Sequence, residues 1–179
     1  GDAETEIARR IGERVLPALE HARRAALLFV DVLEGSPWAG EGEPVRLGEG
    51  GKGEPADDPV VKDAMDGLLA TLTKLERELG ELRDRVEADE ARAERLEARL
   101  LDLKGAERRL AATAHAVRLV LAPGGDEQAS WVRWMEARSS GRGRASNLAL
   151  AAAPLDLGAV LRESLFARNE SVVLSSATL

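Results

Sequence analysis

The sequence predicts a mainly α-helical fold, in which long antiparallel helices are followed by a β-hairpin, a further helix and a final strand. Three observations lead to this prediction. Charged residues make up 32% of the chain and aromatic residues only 3%, which is typical of long helices packed through narrow apolar seams. Apolar residues repeat at steps of three and four over residues 61–121. After residue 130 the apolar period changes to two, the period of a strand.

The first helical segment covers residues 3–34 and carries one apolar stripe. The residues of this stripe are Ile7, Ile11, Val15, Leu19, Ala22, Ala26, Val30 and Leu33. Pro17 interrupts the segment and lacks an amide donor. We therefore expect a kink, or the start of a second helix, at this proline.

Residues 35–59 differ from the helices on either side because they are rich in Gly and Pro and offer little to bury. This composition predicts a flexible loop. Trp38, within the loop, is either an anchor that packs back on the helices or a neutral loop residue. Asp58 followed by Pro59 fits the N-cap and first position of the next helix.

The next segment has the clearest periodicity in the chain, of the coiled-coil type. Its apolar positions are Val61, Met65, Leu68, Leu72, Leu75, Leu79, Leu82, Val86, Ala93, Leu96, Leu100, Leu103, Leu110, Ala114, Val117 and Leu121. A single helix of this length would span roughly 90 Å, so a hairpin within the chain is favoured over a partner-binding coiled coil. The candidate bends are "EADE" at residues 87–90 and Gly105, and the sequence does not choose between them.

The chain divides into a helical part, residues 1–129, and a second part, residues 130–179. In the second part, "SWVRWMEAR" and "ASNLALAAAP" read as the strands of a β-hairpin around the turn "SSGRGR". The segment "LDLGAVLRESLFAR" reads as a helix with Asp156 as its candidate cap. The last segment, "SVVLSSATL" at residues 171–179, reads as a strand buried on both faces of a parallel sheet.

Charge and composition exclude several classes of protein. The net charge of −7 argues against a chain that binds nucleic acid over its whole surface, although the part from residue 130 onward holds six Arg and four acidic residues. The absence of Cys excludes a disulfide framework and a thiolate metal site within these residues. No apolar run approaches the ~20 residues of a membrane span. The acidic start is not a signal peptide, so we expect a cytoplasmic protein without membrane contact.

The chain is poor in groups for catalysis. His21 and His115 lack a second ligand or carboxylate at metal-binding spacing, and we expect surface or structural roles for both. The stretch "GEGGKGEP" at residues 48–55 lacks the flanking strand and helix of a phosphate-binding loop. We therefore expect no metal site. The hydroxyl-rich end of the last strand is the one mechanistic feature, because open parallel sheets bind ligands at that edge.

Three stretches, "WVRWMEA", "NLALAAAPLDLGAVLRESLFAR" and "SVVLSSATL", together resemble the DinG/XPD branch of the superfamily 2 DNA helicases, and DinG-like bacterial members most closely. In that family a Trp-containing strand, a Pro-Leu-Asp segment, a helix ending in Leu-Phe and a strand with Thr-Ser-Ala-Thr-Leu follow in this order. The match covers residues 131–179. Residues 3–122 match only in character, as the helical "arch" inserted into the first motor domain. The resemblance implies that the final strand belongs to a RecA-like α/β motor domain.

The same resemblance implies a role for the end of the chain. Ser176, Ala177 and Thr178 correspond to helicase motif III, which links ATP hydrolysis to strand separation. Ser175 stands where DinG-like proteins usually carry Thr, a change that keeps the hydroxyl. By family, the whole protein would be an ATP-dependent helicase that moves 5′ to 3′, and it would bind ATP and Mg²⁺ through residues that precede the arch. An iron–sulfur cluster, where present, also lies upstream. The chain by itself should be inactive, because the groups that hold the phosphates and Mg²⁺ are missing from it.

The resemblance also names partners. Single-stranded or forked DNA and the two motor domains of the same polypeptide are expected to contact this chain. Arg133, Arg138, Arg142 and Arg144 are candidate phosphate contacts, as in other single-strand channels, and a solvated turn is the alternative for the last two. A chain without an initiator Met, whose last strand lacks a parallel neighbour, is expected to be a piece of a longer protein. The alternative function is a non-enzymatic helical module that binds a partner protein through its seam.

Overall fold

The computed structural model describes residues 2–40, 43–48, 53–139 and 146–173. They form a mainly helical structure with one small antiparallel sheet, which confirms the predicted mainly α class. In chain order the elements are α1 (Asp2–Arg10), a π-helical turn (Ile11–Val15), α2 (Leu16–Glu34), β1 (Val45–Arg46), a 3₁₀ turn (Pro55–Asp57), α3 (Pro59–Glu87), α4 (Glu90–Arg95), α5 (Glu97–Leu121), α6 (Gly125–Ser130), β2 (Trp131–Ser139), β3 (Ser146–Pro154), α7 (Leu157–Ser164) and a second 3₁₀ turn (Phe166–Arg168).

The first helical run continues through Pro17 because a π-helical turn precedes it. The amide of Leu16 donates to the carbonyl of Ile11, five residues back. In a regular α-helix the ring of Pro17 would collide with the carbonyl four residues earlier. The wider π turn lets the proline sit at the start of α2. The irregularity expected at Pro17 is therefore a local change of helix type.

The π turn also shifts which face of α2 is buried. The buried residues of this helix are Ala18, Ala22, Phe29 and Leu33. Ile11 and Leu19, two members of the predicted stripe, are 37% and 50% exposed. The predicted stripe is wrong at these two residues, because it assumed an unbroken α-helical repeat and the π turn adds a residue to that repeat.

The helices α3 and α5 form a hairpin that bends within "EADE". Asp58 caps α3, since its side chain accepts from the amides of Val60 and Val61 at 2.8 and 3.2 Å. The helix ends at Glu87, and Asp89 caps α4 by accepting from the amide of Arg92 at 2.9 Å. The other candidate bend, at Gly105, lies inside α5.

The central helix is α3, which packs against both α2 and α5. Its buried residues are Val61, Ala64, Met65, Leu68, Leu69, Leu72, Leu75, Glu78, Leu82 and Val86. This set contains most of the predicted seam, and Ala64 and Leu69 join it because a second helix needs a second buried stripe. From α5, Leu100, Ala114 and Val117 are buried. The apolar residues of the seam are thus buried between helices of the same chain, which confirms the predicted helical hairpin.

The described part of residues 35–59, predicted as a flexible loop, packs on the rest of the molecule. Trp38 and Leu47 are each 4% exposed, and Pro55 is also buried. Trp38 belongs to the main core, so the anchor interpretation of this residue is the one observed. The segment also supplies β1, which pairs with β2.

The sheet has the order β1-β2-β3, with both pairs antiparallel. The pairing of Trp131 with Pro154 and of Ser139 with Ser146 defines the predicted β-hairpin. Met135, in the middle of β2, is fully buried and belongs to the same core as the helices. The sheet is therefore packed directly against the helical hairpin.

The chain after β3 contains the predicted helix, α7, capped by Asp156 through the amide of Gly158 at 2.8 Å. Residues 171–173, the start of the predicted last strand, are in no strand, and Val173 is 92% exposed. The remainder of that predicted strand, residues 174–179, lies outside the described residues. Within the described ranges, no helix is both long and apolar enough to cross a membrane.

Candidate functional site

The residues predicted to carry motif III, Ser176, Ala177 and Thr178, lie outside the described residues, and their role stays a prediction. Arg142 and Arg144 also lie outside the described part of the chain. The backbone of Arg138 is described, in β2 opposite Asn147. Of the four candidate phosphate contacts, only Arg133 has a described side chain.

Arg133 lies in a buried ion pair with Glu54. Its Nη1 donates to Glu54 Oε2 at 2.9 Å and its Nη2 donates to Oε1 at 2.8 Å, so the pair is bidentate. Nη1 also donates to the carbonyl of Val120 at 2.8 Å. The side chain of Arg133 is 2% exposed and that of Glu54 is 20% exposed. This guanidinium therefore joins β2, the loop before α3 and the end of α5.

Gly48 makes room for this ion pair. It has φ +77°, in the left-handed region that favours glycine. A Cβ here would lie 2.7 Å from Glu54 Oε1 and 3.0 Å from Arg133 Nη2. The preceding residue, Leu47, donates its amide to the carbonyl of Arg133 at 2.9 Å, which fixes the loop on β2.

The geometry of Arg133 does not favour the predicted contact with DNA. A phosphate could reach the guanidinium only after Glu54 and the surrounding loop had moved away, because the side chain is almost fully buried. Glu54, which is partly buried, would also lose its partner. The role that the structure gives to Arg133 is to hold three segments together. Glu54, its partner, was missed from the sequence, because nothing local marks a contact between residues 79 positions apart.

A second buried ion pair lies near the other end of the bundle. Nη2 of Arg10 donates to Glu78 Oε2 at 3.0 Å and also contacts Glu81. The side chains of Arg10 and Glu78 are only 11% and 6% exposed. Glu78 thus lies among the buried leucines of α3 because Arg10 neutralises it, and the pair connects α1 to α3.

Beside this pair is a charged cavity of about 200 Å³, which we call the arginine cleft. Its lining residues are Glu6, Arg9, Arg10, Glu13, Arg14 and Arg85. Arg9 Nη2 donates to Glu6 Oε2 at 2.7 Å, and Arg85 Nη1 donates to Glu6 Oε1 at 3.0 Å. The hydrogen bond from Arg9, together with its positive charge, lowers the pKa of Glu6 below its usual value. The same hydrogen bond raises the pKa of Arg9.

The arginine cleft was also missed, although the sequence carries a signal for it. The stretch "ARRIGERV" places Arg9, Arg10 and Arg14 within six residues of an otherwise acidic helical part. The fourth arginine, Arg85, comes from α3 and could be added only once the helix pairing was known.

Other chemistry in the described residues is sparse. His21 and His115 are both exposed, as expected from their sequence neighbours. No group of three or more His, Asp or Glu side chains among the described residues is placed to hold a metal ion. A second cavity, of about 450 Å³, lies between α3, α4 and α5 and is lined by Glu87, Ala93, Glu94, Glu97, Leu100, Leu101 and Lys104.

Comparison with known proteins identifies no relative: no family model, curated protein or solved structure matches this chain. The functional interpretation therefore depends on the residues and the geometry described above.

Proposed function

We propose that this chain is the arch insertion, with the segment that returns to the first motor domain, of an ATP-dependent DNA helicase of the DinG/XPD branch. The observation that carries the proposal is the order of motifs over residues 131–179, from the Trp-containing strand to Ser-Ser-Ala-Thr-Leu. A match in order over four separate motifs is more specific than any one short tripeptide.

The secondary structure supports this assignment up to residue 168. The Trp-containing segment is β2, and the Pro-Leu-Asp segment begins at Pro154, the last residue of β3. Asp156 of that segment caps α7. Leu165 and Phe166 follow directly at the end of this helix. The first three motifs therefore agree with the elements that the resemblance implies, whereas the fourth begins at residues 171–173, which are in no strand, and continues outside the described residues.

In the proposed mechanism, this chain couples ATP hydrolysis to strand separation but does not itself hydrolyse ATP. ATP and Mg²⁺ would be bound by residues of the whole protein that precede the arch, and an iron–sulfur cluster, where the whole protein has one, would also lie there. Phosphoryl transfer depends on groups that clamp the phosphates and Mg²⁺. The hydroxyls of Ser176 and Thr178 would relay hydrogen bonds between that nucleotide site and the second motor domain, with Ala177 between them.

The helical part would serve as a rigid wall over the single strand. The helix α3 has 29 residues, and at ~1.5 Å per residue it is about 43 Å long. The buried Arg10–Glu78 pair connects α3 to α1, and the Arg133–Glu54 pair connects the loop before α3 to β2. A bundle braced in this way could enclose single-stranded or forked DNA against the motor domains.

The alternative, a helical module that binds a partner protein, has one observation in its favour. Leu16, Leu19 and Leu27 of α2 are 54%, 50% and 58% exposed, away from the core. The coiled-coil seam, on which this alternative first rested, is occupied by the chain's own helices.

ATP hydrolysis by the full-length protein tests the proposal. We expect activity that rises when single-stranded DNA is added. Substituting Thr178→Ala should reduce unwinding more than ATP binding, whereas Ser175→Thr, which installs the residue usual in the family, should leave both unchanged. A full-length protein that lacks a GK[ST] loop and a DEAH-like box before this segment would refute the proposal.

A further inference from the structure

The arginine cleft places four guanidinium groups around one cavity. Four of its six lining side chains are Arg and two are Glu. Two further carboxylates, Glu78 and Glu81, approach it from α3, but both contact Arg10. The charge of Arg10 is thus neutralised, and its side chain is held in place by these two carboxylates.

The other three arginines of the cleft are differently placed. Arg9 and Arg85 share Glu6, and Arg9 also lies 3.3 Å from Glu13. The side chains of Arg9 and Arg85 are 58% and 48% exposed. Exposed pairs of this kind contribute little to stability, so an incoming anion can replace a carboxylate at little cost.

Within the described part of the chain Arg14 forms no ion pair and no side-chain hydrogen bond, although it is exposed at the cleft. Arg14 lies in the π-helical turn that Pro17 imposes. Such turns recur at functional sites because they place side chains where a regular helix would not.

We propose that the arginine cleft binds a phosphate group of single-stranded DNA. A phosphate diester accepts hydrogen bonds from several guanidinium groups at once. A cavity of about 200 Å³ is large enough for this group, and Arg14 provides a cation not already paired. The choice of DNA as the source of the phosphate rests on the proposed function; the choice of an anion rests on the cleft itself.

The test measures the affinity of this chain for a fluorescein-labelled thymidine 12-mer by anisotropy at low salt. We expect binding by the unsubstituted chain, weakened about threefold to fivefold by Arg14→Gln, the effect of one exposed charge contact. The slope of log affinity against log salt should become shallower by about 0.7, the value for one phosphate contact on a single strand. The matched control is Arg23→Gln, an equal charge change at an exposed arginine of α2.

A second pair of variants tests whether removing a carboxylate from the cleft strengthens binding. Glu6→Gln frees Arg9 and Arg85, so it should tighten binding by about twofold to fivefold. Glu20→Gln removes the same charge beside Arg23 and Arg24 and should leave the affinity nearly unchanged. If Glu6→Gln and Glu20→Gln changed the affinity equally, the change would reflect net charge alone, and the proposal would be overturned.

Two further outcomes would also overturn it. One is the absence of binding by the unsubstituted chain at low salt. The other is a higher affinity for inorganic phosphate than for the oligonucleotide, measured by competition at constant ionic strength, which would make the cleft a site for the free ion. Failure here leaves the proposed helicase function standing, because that function is tested by DNA-stimulated ATP hydrolysis of the full-length protein.

Discussion

Glu54→Gln is the substitution that best tests the role of the buried Arg133–Glu54 pair. It leaves the guanidinium, whose side chain is 2% exposed, without a compensating charge. Breaking a buried ion pair from one side costs about 3–5 kcal/mol. Because Glu54 is 20% exposed and Gln retains one acceptor, we expect the lower end of that range, about 3 kcal/mol.

The opposite substitution, Arg133→Met, should cost less. Methionine fills a similar volume, and the carboxylate it leaves behind is the more exposed partner. The main loss is the hydrogen bond to the carbonyl of Val120, so we expect about 1–2 kcal/mol. The double variant should cost no more than Arg133→Met alone, because neither charge then remains buried.

The assay is equilibrium urea unfolding followed by circular dichroism, with the four proteins forming a double-mutant cycle. Asp66→Asn, which breaks the exposed pair with Lys62, is the control and should leave the free energy of unfolding nearly unchanged. A cost below about 1 kcal/mol for Glu54→Gln, or additive single effects in the cycle, would refute the reasoning.

Three further predictions concern single sites. Gly67→Ala, in open space on α3, should stabilise the chain by about 0.5–1 kcal/mol, whereas Gly48→Ala, at positive φ beside Glu54, should destabilise it; thermal melts that move both in the same direction would contradict this. Asp58→Ala should cost about 1 kcal/mol through loss of the α3 cap, while Asp58→Asn should cost less, and equal urea midpoints for both variants would argue against the cap. The pKa of Glu6, followed by NMR, should lie below its usual value and rise in Arg9→Gln; the stability it contributes is present above its unfolded-state pKa and is lost as pH falls through the folded-state pKa, so an unchanged pKa in that variant would contradict the assignment.

Much of the fold could be predicted because its signals are local and periodic. The seam of α3, the cap at Asp58 and the alternation of β2 can each be recognised within a short window of sequence. Such elements depend on the repeat of apolar residues and on capping chemistry, which a single sequence displays directly. The bend within "EADE" was one of two candidates, and only the structure chose between them.

The features that escaped prediction depend on contacts between distant residues. The pairing of Arg133 with Glu54 requires segments far apart in sequence to meet. For the same reason the sequence left two alternatives open for Trp38, which is buried. The phase of α2 was misjudged because Pro17 can be accommodated by a kink or by a π turn, which bury different faces. The arginine cleft includes Arg85 from a second helix, so its lining residues could be identified only from the helix packing.

Strand displacement by the full-length protein is the measurement that tests the proposed helicase function. A duplex with a single-stranded 5′ overhang is incubated with the protein and ATP, and the released strand is measured. We expect ATP-dependent release from this substrate, little release from a duplex with a 3′ overhang, and a marked loss of release in Thr178→Ala. Release that does not require ATP, or none from either duplex by a protein that hydrolyses ATP, would contradict the proposed function.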